Sequence, residues 1–199
     1  KQSGGSGQFG EVHLRIKPNH ESEFELTNDI FGGAISASYI PAIEKGIRNV
    51  MKEGVLAGFP IHSISVSVYD GKEHPVDSKP IAFETAGREA FKLAFAEAGP
   101  VLEEPICMAK IVVPEDNMGD IIGDLNTRRA RIMGMDTDHG ESTVTAMVPL
   151  AEMIRYTTQL RSMTGGRGTF DLEIQNYEVV PPHITQEVIA ARAKDKKEE

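Results

Sequence analysis

The chain has 199 residues, 40% hydrophobic and 26% charged, with a net charge of −9 and a pI near 5.2. That balance fits a globular protein with one large core or two small ones. It excludes a membrane-spanning helix, since no apolar run nears the ~18 residues required, a disulfide framework, since Cys107 stands alone, and the basic footprint of an indiscriminate nucleic-acid binder.

Four of the first ten residues are glycine, too many to start a helix or a strong strand. A loop needs two anchors and only the downstream one follows. The chain is therefore expected to be the C-terminal piece of a longer protein, cut inside a loop. Val12, Leu14 and Ile16 alternate with charged residues as in a half-buried strand. Phe24 and Leu26 mark a weaker strand. Ile40, Ile43, Ile47, Val50 and Met51 form one helical face, with Ser38 as its expected cap, Pro41 in the first turn and Gly54 at its end. Ile64, Val66 and Val68 alternate with serines in another strand. A polar loop over 70–80 leads to a helix striped by Phe83, Ala90, Phe91, Ala94 and Ala98, which Gly99-Pro100 ends.

A new pattern begins there. A strand over 106–113, a helix with Met118, Ile121, Ile122 and Leu125, strands over 131–136 and 142–148, a helix from Leu150 to Leu160, and a strand with Phe170, Leu172 and Ile174 give the order βαββαβ. That is the ferredoxin-like arrangement, two helices on one face of an antiparallel sheet. Pro181-Pro182 introduces a terminal helix around 185–193, followed by a charged end. The expected fold class is α+β with two α/β sandwich domains, residues 1–100 and 101–181, and the helix of 182–199 packing back on the first.

Signatures of independent chemistry are missing. There is no Gly-x-x-x-x-Gly-Lys-Ser/Thr, no Gly-x-Ser-x-Gly and no His-x-x-x-His, and a single cysteine cannot build a thiolate zinc site. Asp136-x-Asp138-x-Gly140 mimics the start of a calcium loop but lacks its distal Glu, so a hairpin turn is the sounder reading. Asp116, Asp120 and Asp124 share a helical face that can hold a cation or simply be solvated, the latter being favoured. Gly119 and Gly123 on the same helix cost about 1 kcal/mol each against alanine, which predicts close packing there. In Met163-Thr164-Gly165-Gly166-Arg167-Gly168, backbone amides with Arg161 and Arg167 can embrace a phosphate, or the segment is only a helix cap and turn. The loop holding His74 is too polar for a core, and its imidazole can stack, donate or titrate.

Six stretches carry a family resemblance: residues 1–9 (KQSGGSGQF), 39–46 (YIPAIEKG), 54–60 (GVLAGFP), 99–105 (GPVLEEP), 118–129 (MGDIIGDLNTRR) and 160–168 (LRSMTGGRG). In this order they resemble the last two domains of the translational GTPase elongation factor G. The resemblance implies that the first domain is domain IV, like ribosomal protein S5 domain 2, an arm that enters the decoding A site of the small ribosomal subunit. The second is then the ferredoxin-like domain V, near the sarcin–ricin loop and stalk base of the large subunit. It implies that Ser3, Gly4, Gly5, Ser6, Gly7 and Gln8 meet the loop of His74, Asp77 and Ser78 at the arm's tip, against the tRNA–mRNA duplex. Arg128, Arg129, Arg161 and Arg167 are the candidates for rRNA contact in the second domain, and Arg131 is the one expected to pair with a neighbouring acid. No cofactor, metal or catalytic residue is expected in these residues, GTP and Mg2+ belonging to a GTPase domain elsewhere in the parent. A cytoplasmic monomer that supports translocation is the expectation.

His74 is followed by Pro75 where the family more often has an acid, and Lys79-Pro80 replaces the usual Ser-Glu. These departures resemble a branch of elongation-factor-G-like paralogues and leave ribosome recycling open. A reading from a different class, a ligand-sensing α+β module, requires an enclosed pocket with converging polar groups, and no such set is evident in the sequence.

Overall fold

The computed structural model describes residues 2–3 and 6–198. They divide into two compact units, Lys1–Val101 with His183–Glu199, and Leu102–Pro182.

In unit 1 the opening glycines do not leave a plain loop. Strand β1 (Gln2–Ser3) pairs antiparallel with β2 (Ser6–Gly7) in a two-rung ribbon; Gly4 and Gly5 between them lie outside the described residues. A sheet follows from β3 (Glu11–Pro18), β4 (Phe24–Asn28) and β5 (Ile64–Lys72), in the order β3-β5-β4. β3 runs antiparallel to β5 and β4 parallel to it. Helices α1 (Ile40–Glu53) and α2 (Pro80–Glu97) cover one face. Their apolar stripes meet the inward residues of β5, so Ile43, Ile47, Val50, Val66, Val68, Phe83 and Phe91 are almost fully buried.

Two local expectations change. Ser38 does not cap α1: a 3-10 turn over Ala37–Tyr39 precedes the helix, and Tyr39 stands at the cap position with no side-chain bond. The serine that matters is Ser36, whose amide and hydroxyl both donate to the Glu73 carboxylate, at 2.7 and 3.0 Å. Residues 70–72, read as loop, continue β5. Gly71 makes this possible, because a Cβ there would run into the Glu11 carbonyl and the Ile35 side chain.

Unit 2 is βαββαβ: β6 (Glu103–Pro114), α3 (Met118–Thr127), β7 (Arg131–Asp138), β8 (Glu141–Pro149), α4 (Tyr156–Thr164) and β9 (Thr169–Val179). The sheet order is β7-β8-β6-β9, antiparallel throughout. Residues 109, 111 and 113 alternate inward against Ile121, Leu125, Tyr156 and Leu160, and Cys107 is buried as well. Burial also pushes the Cys107 thiol pKa up. The β7–β8 connection is a two-residue hairpin turn with both His139 and Gly140 at positive φ (48° and 84°), the arrangement that matches strand twist. Among the described residues no cluster suited to a metal ion occurs, and no helix is long and apolar enough to cross a membrane.

The single helix expected from Leu150 to Leu160 is broken. Leu150–Met153 is a 3-10 turn, Ile154 is extended, and Arg155 sits at φ 63° before α4 starts. A left-handed Arg costs on the order of 1 kcal/mol, and no periodicity announces it. Close packing at Gly119 and Gly123 is also absent: a Cβ at either would meet nothing within 4 Å. Helix α5 (Pro182–Glu198) follows β9, and its Arg192 guanidinium lies 4.7 Å above the Phe59 ring, within unit 1.

Candidate functional site

β5 delivers the 73–79 loop to one end of unit 1, and the chain enters β3 beside it. The Phe9 amide donates to the Asp77 carbonyl (3.0 Å), and the Ser78 hydroxyl donates to the Phe9 carbonyl (2.9 Å). Gly7 lies so close that a Cβ would stand 2.7 Å from the Asp77 carboxyl carbon. The Phe9 and His74 rings lie 6.2 Å apart, tilted by 59° to one another. Segments 69 residues apart in sequence thus form one tip, with the Asp77 carboxylate lying against the bare Cα of Gly7.

Inside the loop, the amides of Val76 and Asp77 donate to His74 Nδ1 at 3.2 and 3.1 Å. Two donors aimed at Nδ1 make it the acceptor nitrogen, so the neutral ring carries its proton on Nε2. His74 is half-exposed, with Asp77 Oδ2 3.5 Å from Nδ1. Ser78 behaves differently from its expected role as a contact. Its hydroxyl accepts from the His74 amide (2.8 Å) while donating to Phe9, so it braces the loop from within. Tyr39 adds a third brace, its hydroxyl donating to the Ser78 carbonyl (3.1 Å) while its ring stacks on Phe83 at 4.4 Å. Gln8 is exposed, and Ser3 and Ser6 pair through their backbones in the ribbon.

The four arginines of unit 2 do not form one patch. Arg128 Nε donates to Asp124 Oδ2 (2.7 Å), its Nη1 donates to the Glu152 carbonyl, and its guanidinium lies 4.8 Å over the Tyr156 ring. Arg129 makes a forked pair with Glu104 (2.6 and 3.0 Å) and a third bond to Glu152 (2.8 Å). The Glu104 bond above all, helped by Glu152, outweighs desolvation and raises the Arg129 pKa further above its ordinary value. Both side chains, expected at rRNA, are turned to acids of their own domain. Asp124 is accordingly not part of a solvated stripe; it is Arg128's partner. The 163–168 segment is a helix cap: Gly165 is left-handed, the amides of Gly165 and Gly166 donate to the Arg161 carbonyl, and those of Arg167 and Gly168 donate to Thr164. Its amides are therefore turned inward, away from any phosphate. Arg167 Nε donates to the Thr164 carbonyl, and Arg161 is exposed. Arg131 approaches Glu178 at 3.8 Å.

Tyr156 is fully buried with no partner for its hydroxyl. Burial, with the Asp124 charge adding and Arg128 opposing, pushes its pKa up to about 12 from 10.0. Below pH 10 the phenol is protonated folded or unfolded. Above it the unfolded chain ionises first, so stability falls by about 2 kcal/mol between pH 10 and 12. Tyr156→Phe should flatten that part of the urea-stability profile and gain about 1 kcal/mol at pH 7 by removing an unsatisfied hydroxyl. A variant whose alkaline slope equals the parent's refutes this.

Residues 1–99 match the family model described as Elongation factor G, domain IV, and residues 101–188 that described as Elongation factor G C-terminus. The protein ttk003000868 from Thermus thermophilus, known from its crystal structure, is 45% identical with a TM-score of 0.82, over 98% of this chain. The chain spans 29% of that protein's length. Fold and matches together place the chain with the elongation-factor class of proteins. The chain belongs to the elongation factor G family, its α+β units being domain IV and the ferredoxin-like domain V.

Sequence reasoning had no hold on Glu73, Phe9 or Tyr39. Their partners lie 37 or more residues away, and only Phe9, placed directly after the glycines, carried a local hint.

Proposed function

We propose that this chain is the ribosome-engaging part of a translocation factor. Domain IV enters the decoding A site of the small subunit and holds the tRNA–mRNA duplex against backward slippage. Domain V docks near the sarcin–ricin loop and stalk base of the large subunit. GTP, Mg2+ and hydrolysis belong to a part of the parent outside these 199 residues, so the chain itself should turn over no GTP. The parent is a cytoplasmic protein and this part of it a monomer.

One observation supports this reading most: the braced tip, where Gly7–Phe9 meets the loop of His74. A glycine-rich backbone approaches RNA without side-chain obstruction, and His74 Nε2–H offers a donor to phosphate, sugar or base acceptors. Recognition by shape and backbone suits a factor that acts on every codon. Two clefts, about 200 and 330 Å3, are open and lined in good part by charged side chains, which does not favour a small-ligand sensor. Pro75 and Lys79-Pro80 favour, as a second reading, a specialised or recycling paralogue. Pro80 opens α2, where a missing amide costs nothing.

Sedimentation with ribosomes should show specific, salt-sensitive association of this chain; its absence defeats the proposal. In the intact factor, His74→Ala should leave the melting temperature nearly unchanged, because water can replace the exposed loop bonds, yet slow tRNA–mRNA movement about tenfold or more. An unchanged rate removes His74 from the site. Subunit splitting without movement selects the recycling reading.

A further inference from the structure

The segment after β4 carries an aromatic ring that neither unit's core uses. Phe31 is 95% exposed, the largest value among the exposed large hydrophobics of the described chain. Leaving such a ring in water forgoes about 2 kcal/mol of burial, and its setting is not a frayed one. On one side, Ile30 packs against the core of unit 1, and the Asp29 amide donates to the Val68 carbonyl (2.9 Å). On the other, Ile35 is 3% exposed and Ser36 is clamped by Glu73 at the base of the tip loop. Phe31-Gly32-Gly33-Ala34 is thus a short bridge pinned at both ends beside the distal half of β5. Gly32 and Gly33 are both left-handed (φ 74° and 72°), and a Cβ on either would meet nothing within 4 Å.

This geometry separates two kinds of partner. A protein partner needs a contiguous apolar patch around its anchor, whereas Phe31 is flanked by exposed Asp29, Gly32, Gly33 and Ser36. A planar base needs only an accessible ring face and room beside it, which the two glycines leave open. We propose that Phe31 is a stacking platform for an unpaired RNA base, a third contact of the tip alongside the opening glycines and the His74 loop. The inference rests on the reading that this end of domain IV meets ribosome-bound RNA.

The test uses the full chain and its Phe31→Tyr, Phe31→Leu and Phe31→Ala forms. Each is sedimented with small ribosomal subunits, either vacant or carrying mRNA and tRNA. Thermal melting should be the same for all four, since the ring makes no core contact. Expected is parental affinity for the Tyr form and about tenfold weaker binding for both Leu and Ala. Weakening already on vacant subunits assigns the base to rRNA; weakening only on loaded subunits assigns it to the tRNA–mRNA. If Leu binds like the parent while Ala does not, the contact is an apolar protein surface and the inference is overturned. Equal binding of all four overturns it as well, with the proposed function intact. A parent chain that does not bind either subunit form overturns both.

Discussion

Gly46→Ala should destabilise unit 1 by about 3 kcal/mol and lower its melting temperature by roughly 10 °C. Helices α1 and α2 cross at this residue. A Cβ on Gly46 would sit inside the Glu84 carbonyl oxygen and 3.1 Å from the Arg88 amide nitrogen. All the atoms it meets are backbone, so no rotamer change relieves the clash. Across the crossing, Gly87 is also close-packed, though less tightly, its missing Cβ 2.9 Å from the Ile43 carbonyl oxygen. The helices would have to part, opening the core that Ile43, Ile47, Phe83 and Phe91 fill, and interiors this dense do not yield gradually. Gly119→Ala is the matched control. On an exposed face of α3 with open space around it, the same methyl should stabilise by about 1 kcal/mol through helix propensity. Calorimetry that finds Gly46→Ala at or above the parental melting temperature would refute the crossing.

Arg129→Ala should cost unit 2 about 2 kcal/mol. Its guanidinium ties β6 (Glu104) and the turn after β8 (Glu152) to the end of α3. Removing one partner from a buried ionic cluster is costly because the remaining charges lose their counter-ion. The Glu104 side chain is only 12% exposed, but Arg129 and Glu152 at 26% and 32% remain partly screened, which keeps the figure below that of a fully buried pair. Arg129→Lys should recover little, since a point charge cannot repeat the fork on Glu104. Equilibrium denaturation checks the stability. Ribosome binding checks the alternative role: an Arg129→Ala chain of parental stability but weakened ribosome affinity would return this residue to an RNA surface.

The contrast between these sites and the tip shows what a sequence exposes. Period-two alternation in Val12, Leu14, Ile16 and in Phe170, Leu172 identifies strands because packing on one face forces it; Ile174 keeps the alternation although it is exposed. The βαββαβ order follows from six such local patterns. Arg129 looks like part of a basic patch because Glu152 and Glu104, which hold it, stand 23 and 25 residues away and leave no local trace; the acid that holds Arg128, Asp124, is only four residues off, at a spacing a helix makes legible. The same distance effect hides Ser36 with Glu73, and so draws the cap of α1 to Ser38. Gly119 and Gly123 mislead for the opposite reason: propensity registers the cost of a glycine but not whether anything lies beside it. Proximity of the opening glycines to His74 came from likeness to a family, as no periodicity spans that interval.

The chain leaves the first unit at Val101 and returns to it only with α5. Between these points the ferredoxin-like domain is a closed loop, its two ends already stapled by the Val180 amide on the Leu102 carbonyl (2.8 Å). During synthesis the inserted module can therefore mature while its host is still incomplete, and the domain that starts first is finished last.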